Sequence, residues 1–422
     1  MKLFRSAALF LCITLSAAFA PAAAAGSQPS QPVTQYAAEL SQRTGLKYFK
    51  SENTQRYIDY KTIHPDYSWE TVLTYVNIGL DTYFYTNPVV PADPGAVDVL
   101  VNKYHPLPPD FIPAHLETIS AHYSSGTRQL THAARVAFEK MCADAKKLGY
   151  SIYATSAYRS YSRQQSVYSS FLDPGDPSSA AAQELLAARP GYSEHQTGLA
   201  VDVIRANAAL MNTAVYKWYA KNAHKYGFII RYPYAKEPIL GYTNEPWHLR
   251  YLGVRLATAV YNSGLTYDEY YAREIDVPAK GADALAVGVT SSSAVTAGGR
   301  TAQLATYDVL GATYYKLRDF AAVLNGTEMQ FDIVWDDAAR RIVLLYGEAY
   351  SGQAPPAAFE PGRAAPLTAV SAGFYTAGAS FDMASYASGG STYYTLGDIL
   401  QMLGLTATDD GHGGLILSPA AA

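Results

Sequence analysis

The strongest constraint on the fold comes from residues 193–202 (SEHQTGLAVD), where a histidine and an aspartate stand seven residues apart. In a helix, His195 and Asp202 would lie about 10.5 Å apart along the axis. In a strand they would lie about 23 Å apart. Ligands of one metal ion bind it at about 2 Å each, so they must lie within a few Å of each other. The chain therefore has to fold back between them, and Gly198 is the permissive residue for that turn.

A second motif, residues 244–251 (NEPWHLRY), carries a glutamate three residues before a histidine. His248 could complete a His₂Asp set and leave a fourth position for water. Glu245 would then lie near that water, take its proton and pass it to a leaving amine. We expect Pro246 to stiffen the turn and Trp247 to pack beneath the site. Taken singly, each histidine is as easily a surface polar group, so the prediction depends on both motifs together.

Together the two motifs resemble the VanY-like D-alanyl-D-alanine carboxypeptidases, which are related to D-Ala-D-Ala dipeptidases and LAS-type zinc peptidases. That family has the pattern S-x-H-x-x-G-x-A-x-D followed by E-x-W-H. Every fixed letter is present here, as Ser193, His195, Gly198, Ala200, Asp202, Glu245, Trp247 and His248. Further matches are residues 101–103 (VNK), 156–161 (SAYRSY) and 226–233 (YGFIIRYP). The resemblance spans about residues 96 to 256, with Ala157 where relatives often have glycine.

The resemblance implies a zinc ion and a general base. The metal ligands that it implies are His195, Asp202 and His248. Glu245 would act as base and then as acid. Arg159 would stabilise the oxyanion, because a fixed guanidinium suits charge that builds in a tetrahedral state. A structural salt bridge is the alternative role for Arg159.

The resemblance also implies how the substrate is held. Ser193 and Gln164 would bind the terminal D-Ala carboxylate. Gln165 is a neighbouring candidate for the same contact, and a solvated helix position is the alternative for Gln164.

The implied activity is that of a zinc-dependent D,D-carboxypeptidase that removes the terminal D-alanine from peptidoglycan stem peptides outside the cell. An L,D-carboxypeptidase or a peptidoglycan endopeptidase would use the same metal site and differ in the pocket. A non-catalytic wall-binding protein with a vestigial peptidase domain belongs to another class, and the intact metal and base residues argue against it.

The start of the chain is typical of a secretory signal peptide. Lys2 and Arg5 precede an apolar stretch and an alanine-rich segment in residues 1–25. The stretch is shorter than the roughly 20 residues that a membrane-spanning helix needs, and an uncleaved anchor is the alternative. We therefore expect a secreted protein that is associated with the cell wall. Without Cys12 of this segment, Cys142 has no disulfide partner, and we expect it to be a small buried residue.

Composition and element order set the class and the domains. A net charge of −4 gives no basic face for nucleic acid. Helices and strands mix without regular βαβ spacing, which favours an α+β fold: an LAS-type peptidase domain with a small antiparallel sheet flanked by helices. The predicted segments after the signal peptide are an N-terminal extension (26–95), the zinc peptidase domain (96–275), a linker (276–298) and a small α+β accessory domain (299–422).

Several elements of the peptidase domain are predicted from local pattern. Apolar residues at three- and four-residue steps indicate a helix over residues 128–148. Further predictions are helices at 162–171, 178–188 and 209–226, and strands at 97–101, 151–156, 200–204 and 228–231.

The accessory domain carries a weak internal repeat. Residues 313–319 (TYYKLRD) are echoed by residues 392–398 (TYYTLGD), which suggests paired strand–helix units. Residues 331–336 and 342–345 resemble the small module at the N-termini of copper amine oxidases. No copper site is implied, since His412 is the only histidine of this tail. The domain would bind cell-wall polymer, or it would serve packing alone.

Overall fold

The computed structural model describes residues 31–173, 175–176, 178–279, 285–353, 360–376 and 379–420. The predicted signal peptide lies outside these residues. Within them, every helix is too short or too polar to cross a membrane.

The N-terminal extension is helical. Its helices are α1 (Gln31–Ser41), α2 (Thr54–Ile63) and α3 (Trp69–Ile78). Ser68 caps α3 by accepting a hydrogen bond from the Thr71 amide, and Gly79 ends the helix in the left-handed conformation. The apolar faces of the three helices meet in one core around Leu40, Tyr57 and Leu73.

The peptidase region combines short strands with helices. Its elements are β1 (Leu116–Thr118), β2 (Gln129–Thr131), α4 (His132–Lys147), β3 (Ala154–Ser156), α5 (Tyr161–Ser169), α6 (Ser179–Leu186), β4 (Ala200–Val203), α7 (Ala214–Asn222), β5 (Phe228–Tyr232), α8 (Glu237–Leu240), β6 (Glu245–Tyr251), α9 (Gly253–Ser263) and α10 (Tyr267–Tyr270). Strands β3, β4, β6 and β5 pair in that order, all antiparallel. Helix α4 packs Phe138 and Met141 onto Val201 and Leu249 of this sheet. The α+β class and the small antiparallel sheet are confirmed.

Most local predictions in this region are confirmed within a few residues, and two are wrong. Residues 97–101 form a turn followed by irregular backbone instead of a strand, because the carbonyls of Val97 and Val99 accept hydrogen bonds from the buried Arg250 guanidinium. The helix predicted over 209–226 is interrupted: α7 lies between two 3₁₀ segments. Cys142 is buried in α4 as predicted, and burial raises the pKa of its thiol.

The C-terminal region contains two copies of one structural unit. The first copy contains β7 (Leu285–Ala297), β8 (Arg300–Val309), β9 (Ala312–Lys316), α11 (Leu317–Leu324), β10 (Phe331–Asp336) and β11 (Arg341–Tyr346). The second contains β12 (Ala364–Thr376), β13 (Ala379–Ser388), β14 (Ser391–Thr395), α12 (Leu396–Leu403), β15 (Leu405–Asp409) and β16 (Leu415–Pro419). The sheet order β10-β11-β12-β13-β14-β9-β8-β7-β16-β15 has the same sequence of elements from either end. The internal repeat in the sequence therefore corresponds to a structural repeat.

The two copies interlock, and β7 lies at the centre of that arrangement. β9 and β14, the strands that carry the repeated TYY sequence, pair with each other. A further pairing between β12 and β7 closes six strands into a ring. The predicted linker is thus wrong for residues 285–297, which form β7. Alternation is seen only at the end of β7, where Val295 and Ala297 are buried on either side of the half-buried Thr296.

The extension lies between the other two regions and contacts both. Val287 and Val289 of β7 belong to the same core as the helices of the extension. Ser41 accepts a hydrogen bond from the Val287 amide at 2.8 Å. On the other side, Ile78 packs with Tyr232 and Tyr242 of the peptidase region. The extension therefore fixes β7 against the peptidase region.

Candidate metal centre and substrate pocket

The turn required between the two motif residues is present. Glu194–Thr197 forms one 3₁₀ turn, and Gly198 ends it with φ +67°. A Cβ at Gly198 would lie 2.9 Å from Leu116 Cδ2 and 3.2 Å from Thr131 Cγ2, so close packing as well as φ favours glycine. The chain then enters β4, which carries Asp202.

Strand register brings in the third residue. In the β4–β6 ladder Asp202 lies directly opposite His248. Directly opposite residues of an antiparallel pair lie about 4.5–5.5 Å apart and can therefore share a ligand. One ligand atom from each of His195, Asp202 and His248 falls within 4.8 Å of the others. The structure thus brings together the three residues predicted to hold a metal.

The distances and donor types within this cluster suit a metal ion. His195 Nε2 lies 3.3 Å from Asp202 Oδ2, and His248 Nδ1 lies 3.4 Å from Asp202 Oδ1. Among the described residues, Asp202 Oδ1 is a buried oxygen without a hydrogen-bond partner, which leaves it available as a ligand. Two imidazole nitrogens and one carboxylate oxygen form the donor set of a catalytic zinc site with one open position.

Each histidine is oriented by a hydrogen bond from its other ring nitrogen. His195 Nδ1 donates to the Ala157 carbonyl at 2.7 Å, which leaves the Nε2 lone pair for a metal. His248 Nε2 lies 3.2 Å from Glu194 Oε2 and donates to it, which leaves Nδ1 for the metal. Such outer partners fix the tautomer and the ring orientation of metal-binding histidines.

Glu194 belongs to the site, although sequence reasoning did not single it out. Its carboxylate is fully buried and lies 2.7 Å from Arg231 Nε and 2.9 Å from Arg250 Nη1. Burial alone would raise its pKa, but the two guanidiniums and His248 hold the pKa of Glu194 well below its usual range. Glu194 is therefore a carboxylate that stays charged and fixes His248. Two features of the sequence could have pointed to Glu194: it directly precedes His195, and Arg250 shares a face of β6 with His248.

Glu245 begins β6 at the edge of the cluster. Its Oε2 lies 3.4 Å from His248 Nδ1, and its side chain keeps 15% exposure toward the pocket. Burial raises the pKa of Glu245 above its usual value. A carboxylate with a raised pKa is better suited to accept and return a proton than one with the usual value. Trp247 lines the pocket instead of lying wholly beneath it.

Arg159 points into the same pocket and is held in place. Its Nη1 donates to Gln164 Oε1 at 2.7 Å, and its Nη2 donates to Ser156 Oγ at 3.0 Å. Its Nη2 lies 3.8 Å from Asp202 Oδ2, too far for a close ion pair. The guanidinium is therefore fixed mainly by neutral groups, and its charge is left for a ligand.

Gln164 and Ser193 both line the pocket, but they differ in whether their polar groups already have hydrogen-bond partners in the protein. Gln164 is buried, and its Nε2 donates to the Ala188 carbonyl at 2.6 Å, so both ends of its amide already have protein partners. The neighbouring Gln165 is exposed and does not line the pocket. Ser193 is buried, and its hydroxyl has no hydrogen-bond partner among the described residues.

The pocket itself has a volume of about 220 Å³. Besides the residues discussed above, it is lined by Val167, Phe171, Leu186, Ala187, Ala188, Ala206, Tyr232 and Tyr242. An apolar wall with a few convergent polar groups is typical of a small-ligand site.

One wall of the pocket is supported from the extension. Tyr242 stacks against Lys103, whose Nζ lies 4.5 Å from the ring centroid and 5.3 Å from the ring of Tyr85. Lys103 Nζ also donates to the Glu184 carbonyl at 2.6 Å. Burial lowers the pKa of Lys103 to about 8. A residue of the predicted extension, Tyr85, thus contributes to the shell around the pocket.

Comparisons with known proteins agree with the site. Residues 127–254 match the family model "VanY: D-alanyl-D-alanine carboxypeptidase". The "Putative carboxypeptidase YodJ" of Bacillus subtilis (strain 168) is 40% identical over 189 residues, which cover 42% of this chain and 68% of that protein.

Two solved structures are also similar over the peptidase region. One is an LdcB LD-carboxypeptidase, with 37% identity and a TM-score of 0.42, covering 44% of this chain and 91% of that one. The other is a vancomycin resistance D,D-pentapeptidase VanY in complex with Zn(II), with 33% identity and a TM-score of 0.36. The match covers 41% of this chain and 98% of that one. From the family match and the extent of the likeness to the Bacillus protein, this chain belongs to the VanY family of D-alanyl-D-alanine carboxypeptidases.

Proposed function

We propose that this protein is a secreted, zinc-dependent D,D-carboxypeptidase that removes the terminal D-alanine from peptidoglycan stem peptides. The observation that carries the proposal is the clustering of His195, Asp202 and His248 on the wall of a pocket that also contains Glu245 and Arg159. A metal set, a base and a fixed cation around one small cavity are the parts that amide hydrolysis needs.

The three ligands fit zinc because nitrogen and carboxylate donors with an open fourth position suit its tetrahedral preference. When bound there, zinc supplies Lewis acidity: it makes water a nucleophile at neutral pH and polarises a carbonyl oxygen. His195 and His248 contribute neutral rings, because the Ala157 carbonyl and Glu194 each accept the proton of the other ring nitrogen.

Glu245 moves the proton. Its carboxylate accepts a proton from the attacking water as the new C–O bond forms at the terminal amide carbonyl. It then donates that proton to the amide nitrogen as the C–N bond breaks, and D-alanine leaves as the free amine. Because burial raises its pKa, Glu245 is a stronger base than an exposed carboxylate and can take and then return the proton.

Arg159 and its neighbours receive the substrate. The Arg159 guanidinium donates hydrogen bonds to the oxygen on which negative charge develops, and it needs no rearrangement because Ser156 and Gln164 already hold it. The unpartnered hydroxyl of Ser193 donates to the terminal carboxylate. Gln164 acts through Arg159, because both ends of its own amide are engaged by the protein.

Secretion is supported by the sequence alone, through the basic, apolar and alanine-rich order of residues 1–25. Stem peptides lie outside the cytoplasm, so an exported chain is consistent with this substrate. The measurement is the N-terminal sequence of the protein recovered from culture medium or wall fractions. Recovery of only full-length protein, inside cells, would contradict secretion.

The activity is tested with defined stem pentapeptides and tetrapeptides and zinc-loaded protein. We expect free D-alanine and a tetrapeptide from the pentapeptide, and no release after chelation or in Glu245→Ala. Release of D-alanine from the tetrapeptide alone would replace the D,D assignment by L,D specificity. Cleavage of cross-linked peptides would indicate an endopeptidase. No turnover, with one zinc bound per chain, would leave a wall-binding role.

A further inference from the structure

A second pocket lies in the C-terminal region, far along the chain from the metal site. It has a volume of about 230 Å³ and is formed by the start of α11, by β10 and β11, and by the turn before β14. It is lined by Lys316, Leu317, Arg318, Ile333, Val334, Trp335, Ile342, Gly390, Ser391, Thr392 and Tyr394. Both charged residues in this lining are cations.

Trp335 presents an exposed aromatic surface in this pocket. Its side chain is 53% exposed, although a tryptophan is costly to leave in water. Its indole N–H donates to Asp337 Oδ1 at 2.8 Å, and the Arg340 guanidinium lies 5.9 Å from the ring centroid, so the ring is already oriented. An oriented, half-exposed indole is a surface ready to stack against an apolar or ring-shaped face of a ligand.

The two cations keep their charge available. Arg318 is exposed and has no ion-pair partner among the described residues. Lys316 lies over the ring of Tyr393 at 5.5 Å and likewise has no carboxylate within ion-pair distance among them. An anionic group beside the indole would therefore lie near two cations without a direct ion-pair partner among the described residues, although Asp319 acts on Lys316 at longer range.

The internal repeat shows that these side chains are not needed for the fold. The sequence repeat aligns Lys316 and Arg318 with Thr395 and Gly397. In the first copy Trp335 pairs with Ile342, and the pair at the same register in the second copy is Asp409 with Leu415. Trp335 therefore corresponds to Asp409.

The core positions of the repeat behave differently. Phe331 and Leu344 of the first copy correspond to Leu405 and Leu417 of the second, and all four are buried and apolar. The same backbone thus forms with the core retained and the aromatic and cationic groups absent. Packing does not explain why the first copy carries them.

We propose that this pocket binds an acidic sugar of a glycan chain, with the sugar ring against Trp335 and its carboxylate beside Arg318 and Lys316. The combination favours a sugar because the lining also offers the hydroxyl-bearing residues Ser391, Thr392 and Tyr394, which suit polar ring substituents. A simple polyanion would contact Arg318 and Lys316 but would make no stacking contact with the Trp335 indole. The choice of a wall glycan as the source rests on the proposed function.

The test is calorimetric titration of the full chain with three probes. These are the N-acetylglucosamine–N-acetylmuramic acid disaccharide, neutral di-N-acetylchitobiose and poly(glycerol phosphate). We expect the acidic disaccharide to bind at least about tenfold more tightly than the neutral one. Trp335→Ala and Arg318→Ala should each weaken it by about tenfold or more, whereas Asp409→Ala, at the matching position of the second copy, should not.

Equal binding of the neutral and acidic disaccharides, or no binding of either, would overturn the proposal. So would binding of poly(glycerol phosphate) that Trp335→Ala leaves unchanged, since that would indicate a site for polyanions. Thermal unfolding of each variant checks that the fold persists. D-Alanine release from a soluble pentapeptide is measured separately and should be unaltered in Trp335→Ala. Because the disaccharides carry no peptide bond to cut, failure of this site and failure of the peptidase assignment give different results.

Discussion

Two buried carboxyl groups, one in the peptidase region and one in the C-terminal region, differ in what surrounds them. Glu194 is 1% exposed and contacts two guanidiniums and His248. Asp319 of α11 is 3% exposed, and its Oδ2 has no hydrogen-bond partner in the described part of the chain. The pKa of Glu194 lies well below its usual range, whereas burial raises that of Asp319.

The difference shows that partners, more than burial, decide the state of a carboxyl group. In the peptidase region the buried charges compensate one another and orient the metal ligands. In the C-terminal region the cations stay at the surface, where a ligand can reach them. The first region holds its charges at fixed buried positions, and the second leaves its cations at the surface.

The largest effect is expected at Glu245, the proposed general base. Glu245→Gln keeps the shape but cannot accept a proton, so we expect kcat to fall by about 10²- to 10⁴-fold. Metal content, measured by elemental analysis, should stay at the wild-type level. Turnover within a factor of a few of wild type would remove Glu245 from the mechanism.

Glu194→Gln tests whether the compensated network is required. The change leaves the buried Arg250 guanidinium without a carboxylate and Arg231 with Asp268 as its remaining partner, so we expect a loss of about 3–5 kcal/mol in the free energy of unfolding. Because His248 loses its orienting partner, metal affinity should also fall by about 10- to 100-fold. Urea unfolding and metal titration measure the two effects.

The matched control is Glu117→Gln, which removes an exposed carboxylate paired with Arg135 and His132. We expect little change in stability, because exposed ion pairs contribute little. Equal effects of the two substitutions would mean that burial of the Glu194 network has no special role.

The contribution of Lys103 to the free energy of unfolding depends on pH. Its folded pKa of about 8 lies below the unfolded value of about 10.4, so its charged form costs stability at pH 7, by up to about 3 kcal/mol. That cost is relieved as the pH rises from 8 to 10.4. Relative to Lys103→Met, the wild type should therefore gain stability over this range in urea unfolding. A constant difference between the two proteins would contradict the prediction.

Gly198→Ala tests the turn that joins the two motif residues. At φ +67° an alanine costs about 1–2 kcal/mol, and its Cβ would press on Leu116 and Thr131. We expect a lower unfolding temperature and weaker metal binding, because His195 shifts relative to Asp202. Gly149→Ala, also at positive φ but with open space around it, isolates the backbone contribution. Unchanged metal affinity in Gly198→Ala would show that the turn tolerates the shift.

The smallest effect is expected at Asp319. Since its folded pKa is raised, its contribution to stability falls as the pH rises through that value, and Asp319→Asn should be neutral or slightly stabilising at pH 7. The advantage should vanish in acid, where the carboxyl group is protonated. Thermal unfolding at pH 4 and pH 7 measures this, and a clear loss at pH 7 would show that Asp319 has a partner in solution.

The peptidase fold was predictable to the extent that it is local. The apolar spacing of α4, the turn at Gly198 and the strand that carries Asp202 follow from residue type and position. The elements at 97–101 and 209–226 were mispredicted, because Arg250 binds carbonyls of the first segment and because Thr213 is extended and caps α7 in the second. The roles of Glu245, Arg159, Gln164 and Ser193 stay predictions, as do the domain boundaries other than the linker and the resemblance of the C-terminal region to copper amine oxidase modules.

The sequence by itself identified the candidate metal donors His195, Asp202 and His248 and the candidate base Glu245, since they stand in two short motifs with their own spacing. It also determined the duplication of the C-terminal region. Only the tertiary structure decided how those donors are held. The pairing of β4 with β6 sets Asp202 opposite His248, and distant residues such as Arg231 surround Glu194. Contacts between distant segments depend on strand register and burial, which local periodicity does not encode.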